Sequence, residues 1–170
     1  RRAGHEYVVE SVPGRPRPFL AVTNHGGARE FTLSWVGLGD TDPLGWLAAI
    51  DAPLPGDDVA AGSDDPSPSE PVRRFVAVDA FAEHVVVSLR ESGGMALYVA
   101  PVAEHGLDWS RAHALRAAAG SSLELATNEQ FDAPFVTVVT QSRIDPPVWT
   151  DHRLDRSAEP VVRHRAAFLR

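Results

Sequence analysis

Ser92-Gly93-Gly94 is this sequence's nearest approach to a serine nucleophile elbow. Such an elbow sets its serine on a strained strand-to-helix turn as G-x-S-x-G, because flanking glycines let the backbone bend sharply and come close to a substrate. Here Arg90 stands where the first glycine is required. Ser92 therefore reads as a hairpin-turn residue, and G-x-S-x-G occurs nowhere in the chain. Seven histidines are scattered along the sequence, and no two have the i, i+4 spacing that puts a zinc-binding pair on one helix face. His105, Asp108 and His113 could meet around a metal, but surface loop residues are the preferred reading; His84 precedes an apolar run and is expected to cap it. Asp57 to Pro71 is rich in Asp, Ser and Pro. It lacks the ordered ligands, central glycine and closing glutamate of a calcium loop, so it reads as a solvated acidic loop. Arg73-Arg74 and Arg163-His164-Arg165 are short basic clusters, read as solvated strand ends before peptide-carboxylate clamps. No catalytic, cofactor-binding or metal-binding residue is assigned.

Composition narrows the possible partners. The 170 residues carry a net charge of −7, with sixteen arginines and no lysine, and no basic stripe of the kind that follows a phosphate backbone. Nucleic acid is not expected as a partner. No apolar run approaches the roughly 18 residues of a membrane span, so no membrane association is expected either. Without cysteine there is neither a disulfide framework nor a thiol nucleophile, which permits a reducing compartment. The chain opens on Arg1-Arg2-Ala3-Gly4 without a methionine, and a piece of a longer protein is expected.

The elements that must position these residues are strands. Arg74 to Val102 holds three apolar runs of strand length, broken at Ala82-Glu83 and at Glu91-Ser92-Gly93-Gly94. The second break supplies residues that reach positive φ without a Cβ clash, as a tight antiparallel reversal needs. In the middle run Val85 and Val87 alternate with Val86 and Ser88, so one face is buried and the other meets a second apolar layer or water. Before this meander, strands are predicted at 5–12, 19–24 and 31–38, with the prolines of 13–18 confined to a loop and His25-Gly26-Gly27-Ala28 reversing the chain. Trp46 to Ile50 fits a short strand or one helical turn. Ser110 to Ala119 fits a short helix capped by Ser110, or an outer strand around His113 to Leu115. Strands at 122–127, 134–141 and 148–154 follow, with one more starting at 161–164. The four tryptophans, Trp35, Trp46, Trp109 and Trp149, are expected to pack between sheets.

One pattern occurs three times: FLAVTNHGGAREFTLSWV, HVVVSLRESGGMALYVAPV and FVTVVTQSRIDPPVWTDHRL. Each is an apolar strand, a break with Gly or Pro, and another apolar strand. Four-stranded units repeating at about 40 to 50 residues are the signature of β-propeller blades. The fold class is therefore all-β, a partial β-propeller of three blades, each an antiparallel four-stranded meander, over residues 1–50, 72–117 and 121–166 with the acidic loop at 51–71. A β-sandwich is the alternative, in which the Val85 and Phe135 ribbons would clasp face to face.

The run His5-Glu6-Tyr7, then Phe19-Leu20-Ala21-Val22-Thr23-Asn24-His25-Gly26-Gly27-Ala28-Arg29-Glu30-Phe31-Thr32-Leu33, resembles the propeller of the oligopeptidase B branch of the prolyl oligopeptidase family of serine peptidases. Trp46, Phe81 to Val87 with Arg90 and Gly94, Phe131-Asp132, and Ser142, Pro147, Asp151 and Leu154 keep the family's order. The resemblance covers nearly the whole chain. The long acidic segment and the lack of an aromatic before Gln141-Ser142 depart from it. It implies a propeller portion that gates short peptide substrates for an α/β-hydrolase domain of the same polypeptide. That catalytic domain, absent from this sequence, would carry the Ser, Asp and His and cleave after basic residues. It further implies a cytoplasmic protein and no cofactor. A non-enzymatic propeller or β-rich interaction module is the competing reading.

Overall fold

A computed structural model describes residues 6–40, 42, 46–50, 54–55, 73–91 and 94–167. Among them there is no α-helix, and thirteen strands form three antiparallel sheets in chain order. The first sheet is β1 (Tyr7–Ser11), β2 (Phe19–Thr23), β3 (Thr32–Val36) and β4 (Leu47–Ala48), each paired with the next. The second is β5 (Arg74–Ala80), β6 (His84–Glu91), β7 (Gly94–Ala103) and β9 (His113–Arg116), with the two-residue β8 (Gly106–Leu107) folded back on the end of β7. The third is β10 (Ser121–Leu125), β11 (Phe135–Ser142), β12 (Val148–Arg153) and β13 (Val161–Arg165).

Turn chemistry explains the reversals. Glu91 pairs with Gly94, and Gly94 has φ 127, a conformation that a side chain would strain. The prolines at 13, 16 and 18 lie between β1 and β2, where no ladder bond is asked of them; Val12 N–H donates to Pro18 O at 2.7 Å and closes the loop. Trp46 to Ile50 gives the strand, not the helical turn. The two alternatives for 110–119 resolve as a 3-10 turn at Trp109–Arg111 followed by β9, whose register with β7 runs from Ala96↔Arg116 to Val99↔His113. The cap of that turn is Asp108, not Ser110: the Asp108 carboxylate accepts from Arg111 N–H, and the Ser110 hydroxyl donates to the same carboxylate at 2.6 Å. A carboxylate two residues earlier reaches the free N–H groups, which Ser110, already inside the turn, does not.

The sheets stack with the second in the middle. Leu20, Val22, Leu33 and Trp35 of the first sheet pack against Val85, Val87, Leu89 and Tyr98 of the second. Val86, Leu97 and Val99 pack from the other face of the second sheet against Leu123, Val136 and Val138 of the third. The second apolar layer, not water, thus covers the Val86 face. Buried on both sides, β6 and β7 read as nearly continuous apolar runs, whereas β3 alternates Leu33 and Trp35 inward with Thr32 and Ser34 outward. Each buried valine contributes on the order of 1.5–3 kcal/mol. Val85 faces the first sheet, and Phe135 lies on the face of β11 opposite the buried Val136 and Val138. The β6 and β11 sheets do meet face to face, through Val86 and Val136, but the first sheet covers the other face of the second, so the described residues form three stacked sheets and not a two-layer sandwich.

Candidate functional site

Strand register brings three histidines to one interface. His84 shares its face of β6 with Val86, and His113 is the cross-strand partner of Val99 on β7. His152 is the partner of Val136 on β11. Since cross-strand partners lie on one face, all three look into the layer between the second and third sheets, at its outer rim. Burial lowers the proton affinity of each. For His113 the nearby Arg156, His84 and His152 add to burial, and its pKa falls to about 4. His84 feels Glu83 and Asp155 pulling the other way, and His152 feels Asp151. The sequence carried this signal only through the period-two phase of residues far apart in the chain. It does not cap its strand: His84 is the first residue of β6, paired with Pro101.

A second polar cluster closes one end of the middle sheet. Glu91, only 15% exposed, accepts from the Tyr98 hydroxyl, from Arg73 Nε at 3.1 Å and from Arg116 Nε at 3.2 Å. Arg116 also donates to the Tyr98 oxygen at 2.6 Å and lies 5.3 Å over its ring. Burial works to raise the Glu91 pKa, but the Tyr98 hydroxyl and the two guanidiniums outweigh it and hold the carboxylate below its ordinary value. The same burial, together with the Glu91 charge, pushes Tyr98 up to about 12. Arg73 is thus a partner in an internal ion network and not a solvated strand end.

On the edge strands β1 and β5, burial raises the pKa of both Glu10 and Asp79, and the Asp79 charge raises Glu10 further. Each carboxylate sits on the first strand of its sheet.

The residues singled out in the sequence do not converge. His105 is 90% exposed beside Glu104, Asp108 is committed to its own turn, and His113 faces the third sheet. Among the described residues no group of three His, Cys, Asp or Glu can hold a metal ion. Ser92 and the acidic segment 57–71 lie outside the described residues. None of the described serine hydroxyls is hydrogen-bonded to an imidazole. Arg163, His164 and Arg165 form the exposed outer strand β13, where Arg163 pairs with Asp151 and lies 5.4 Å over Phe135. Trp35 and Trp109 pack between the first two sheets as expected. Trp149 does not pack in either interface. Register places it opposite Val139, on the outward face, where its ring meets His164 at 5.1 Å. Trp46 meets Tyr7 edge-on at 5.8 Å.

No helix among the described residues is long and apolar enough to cross a membrane. No protein-family model matches the sequence, and no curated protein matches it. Solved structures do match in three dimensions. Oligopeptidase B from Trypanosoma brucei, in a closed form with covalently bound antipain, superposes with a TM-score of 0.75 and 16% identity over 98% of this chain and 21% of that one. Oligopeptidase B from Leishmania major gives 0.70 and 16% over 97% of this chain and 21% of that one. A structure from a study of two prolyl endopeptidases gives 0.64 and 13% over 95% and 20%. The chain spans about a fifth of the length of these structures. It has the fold of a part of them, three successive antiparallel sheets of a partial β-propeller.

Proposed function

We propose that this chain is the non-catalytic, substrate-gating propeller portion of a serine-type oligopeptidase of the oligopeptidase B kind. The observation that carries the reading is the 0.75 superposition on oligopeptidase B over 98% of the chain. The sheets over 1–50, 72–117 and 121–166 act as consecutive blades. The partner is an α/β-hydrolase domain of the same polypeptide, and the substrates are short peptides cleaved after basic residues in the cytoplasm. On this reading the histidines and the Glu91 network are structural, and acyl transfer belongs to a serine outside these residues. The gene tests this directly: coding sequence beyond Arg170 with a G-x-S-x-G elbow followed by Asp and His supports it. A stop codon with no such elbow favours a non-enzymatic interaction module instead.

A further inference from the structure

We propose that the cleft at the end of β1 and β5 binds a small carboxylate carrying an apolar body. The cleft has a volume of about 720 Å³, within the range of about 300–1,000 Å³ typical of ligand sites. Arg74 and Arg90 line it together with Phe31, Phe75, Val8 and Val76. Arg74 and Arg90 are direct cross-strand partners on β5 and β6, and both are exposed. Two like charges set opposite each other destabilise a strand pair. Arg17, Arg73, Arg116, Arg153 and Arg163 each hold a carboxylate; of the described arginines outside that set, only Arg74 and Arg90 stand directly opposite each other across a strand pair. Among the described residues Arg74 and Arg90 hold none. An anion between them would remove the repulsion and meet two planar donors suited to a carboxylate.

The walls are held in place before any ligand arrives. The Arg74 guanidinium rests 4.9 Å over the Phe31 ring. Phe31 has φ 63, a left-handed conformation that a bulky residue adopts only under constraint and that gathers at ligand sites. Two backbone bonds impose it, Phe31 N–H to Ala28 O at 3.2 Å and Phe75 N–H to Glu30 O at 3.0 Å. The register of β5 also shifts between Phe75 and Ala77, a bulge of the kind that re-aims side chains beside sites. Val8 and Val76 stay 44% and 40% exposed, leaving apolar surface open for the ligand's body. Glu6 and Tyr7 line the same cleft, and the Glu6 carboxylate opposes any anion there, so the ligand's affinity rests on the two guanidiniums together. The shared chemistry is that of a free acylated amino acid and of a peptide's C-terminus. The inference does not depend on the peptidase reading and survives if no hydrolase domain is found.

Calorimetric titration of the polypeptide, as its gene encodes it, tests the site with N-acetyl-L-phenylalanine, its methylamide, inorganic phosphate and N-acetyl-Ala-Ala-Phe. The acid should bind with a Kd of roughly millimolar order. The methylamide and phosphate should each bind at least about tenfold more weakly, since one lacks the charge and the other the apolar body. Arg74→Gln or Arg90→Gln should weaken the acid about tenfold, with Arg→Lys recovering part of it. Tighter binding of the tripeptide assigns the site to peptide C-termini, and equal binding to free acids. No binding of either acid, equal binding of the methylamide, or unchanged binding by both glutamine variants overturns the proposal. The unliganded variants should melt no lower than the parent, which separates lost binding from lost folding.

Discussion

The Trp109 indole donates a buried hydrogen bond to the carbonyl of Ala49 at 2.7 Å, across 60 residues of sequence. Trp109 comes from the turn after β8, and Ala49 lies just beyond β4, so this bond ties the outer end of the first sheet to the second. Trp109→Phe keeps the ring's apolar burial but leaves the carbonyl without its donor. An unsatisfied buried acceptor costs about 1–3 kcal/mol, so the urea midpoint should fall accordingly. An unchanged midpoint would mean that water replaces the indole.

Histidines 84, 113 and 152 make stability depend on pH in a defined direction. Their folded pKa values lie below the unfolded one, with that of His113 down at about 4. The unfolded chain therefore binds more protons between those values, and the stabilisation present above about pH 6.5 is lost as pH falls toward about 4. Equilibrium unfolding followed from pH 7.5 to 4 should show this decline. His113→Gln should flatten it, whereas the exposed His105→Gln should not.

Tyr98 should titrate apart from the other tyrosine. The sequence has two tyrosines, and the Glu91 contact with burial pushes Tyr98 up to about 12. Ultraviolet titration of the phenolate band should resolve the late transition, and Tyr98→Phe should remove it. Glu91→Ala leaves Arg73 and Arg116 without their shared carboxylate and should lower stability by about 1–3 kcal/mol. A smaller loss for Tyr98→Phe, about 1 kcal/mol, would fit a hydroxyl that supports the carboxylate.

The 170-residue chain expressed alone should show no amidase turnover on arginyl substrates. Turnover that disappears in Ser92→Ala would contradict the assignment of chemistry to another domain.

Open faces and edges should also make the isolated chain associate. Val161 and Val162 on the edge strand β13 are 59% and 53% exposed, and Val9 on β1 is 54% exposed. Light scattering should report concentration-dependent oligomers, and a monomer at every concentration would count against an incomplete propeller.

The run of residues by itself determined the local structure here. Short apolar segments separated by Gly and Pro admit only strands and reversals, and threefold recurrence of that pattern is enough to imply three like sheets. It left Ser110 to Ala119 open, because Ala, Leu and Arg suit a helix as well as an edge strand; only pairing with β7 decided for β9. It misplaced Trp149, since which face a strand residue occupies depends on the phase of pairing with its neighbours. The meeting of His84, His113 and His152, the Arg73–Glu91–Arg116 network and the Arg74–Arg90 cleft were settled by tertiary structure alone. Each joins residues on or beside different strands, and cross-strand register and the stacking of sheets are long-range outcomes that no local window of sequence encodes.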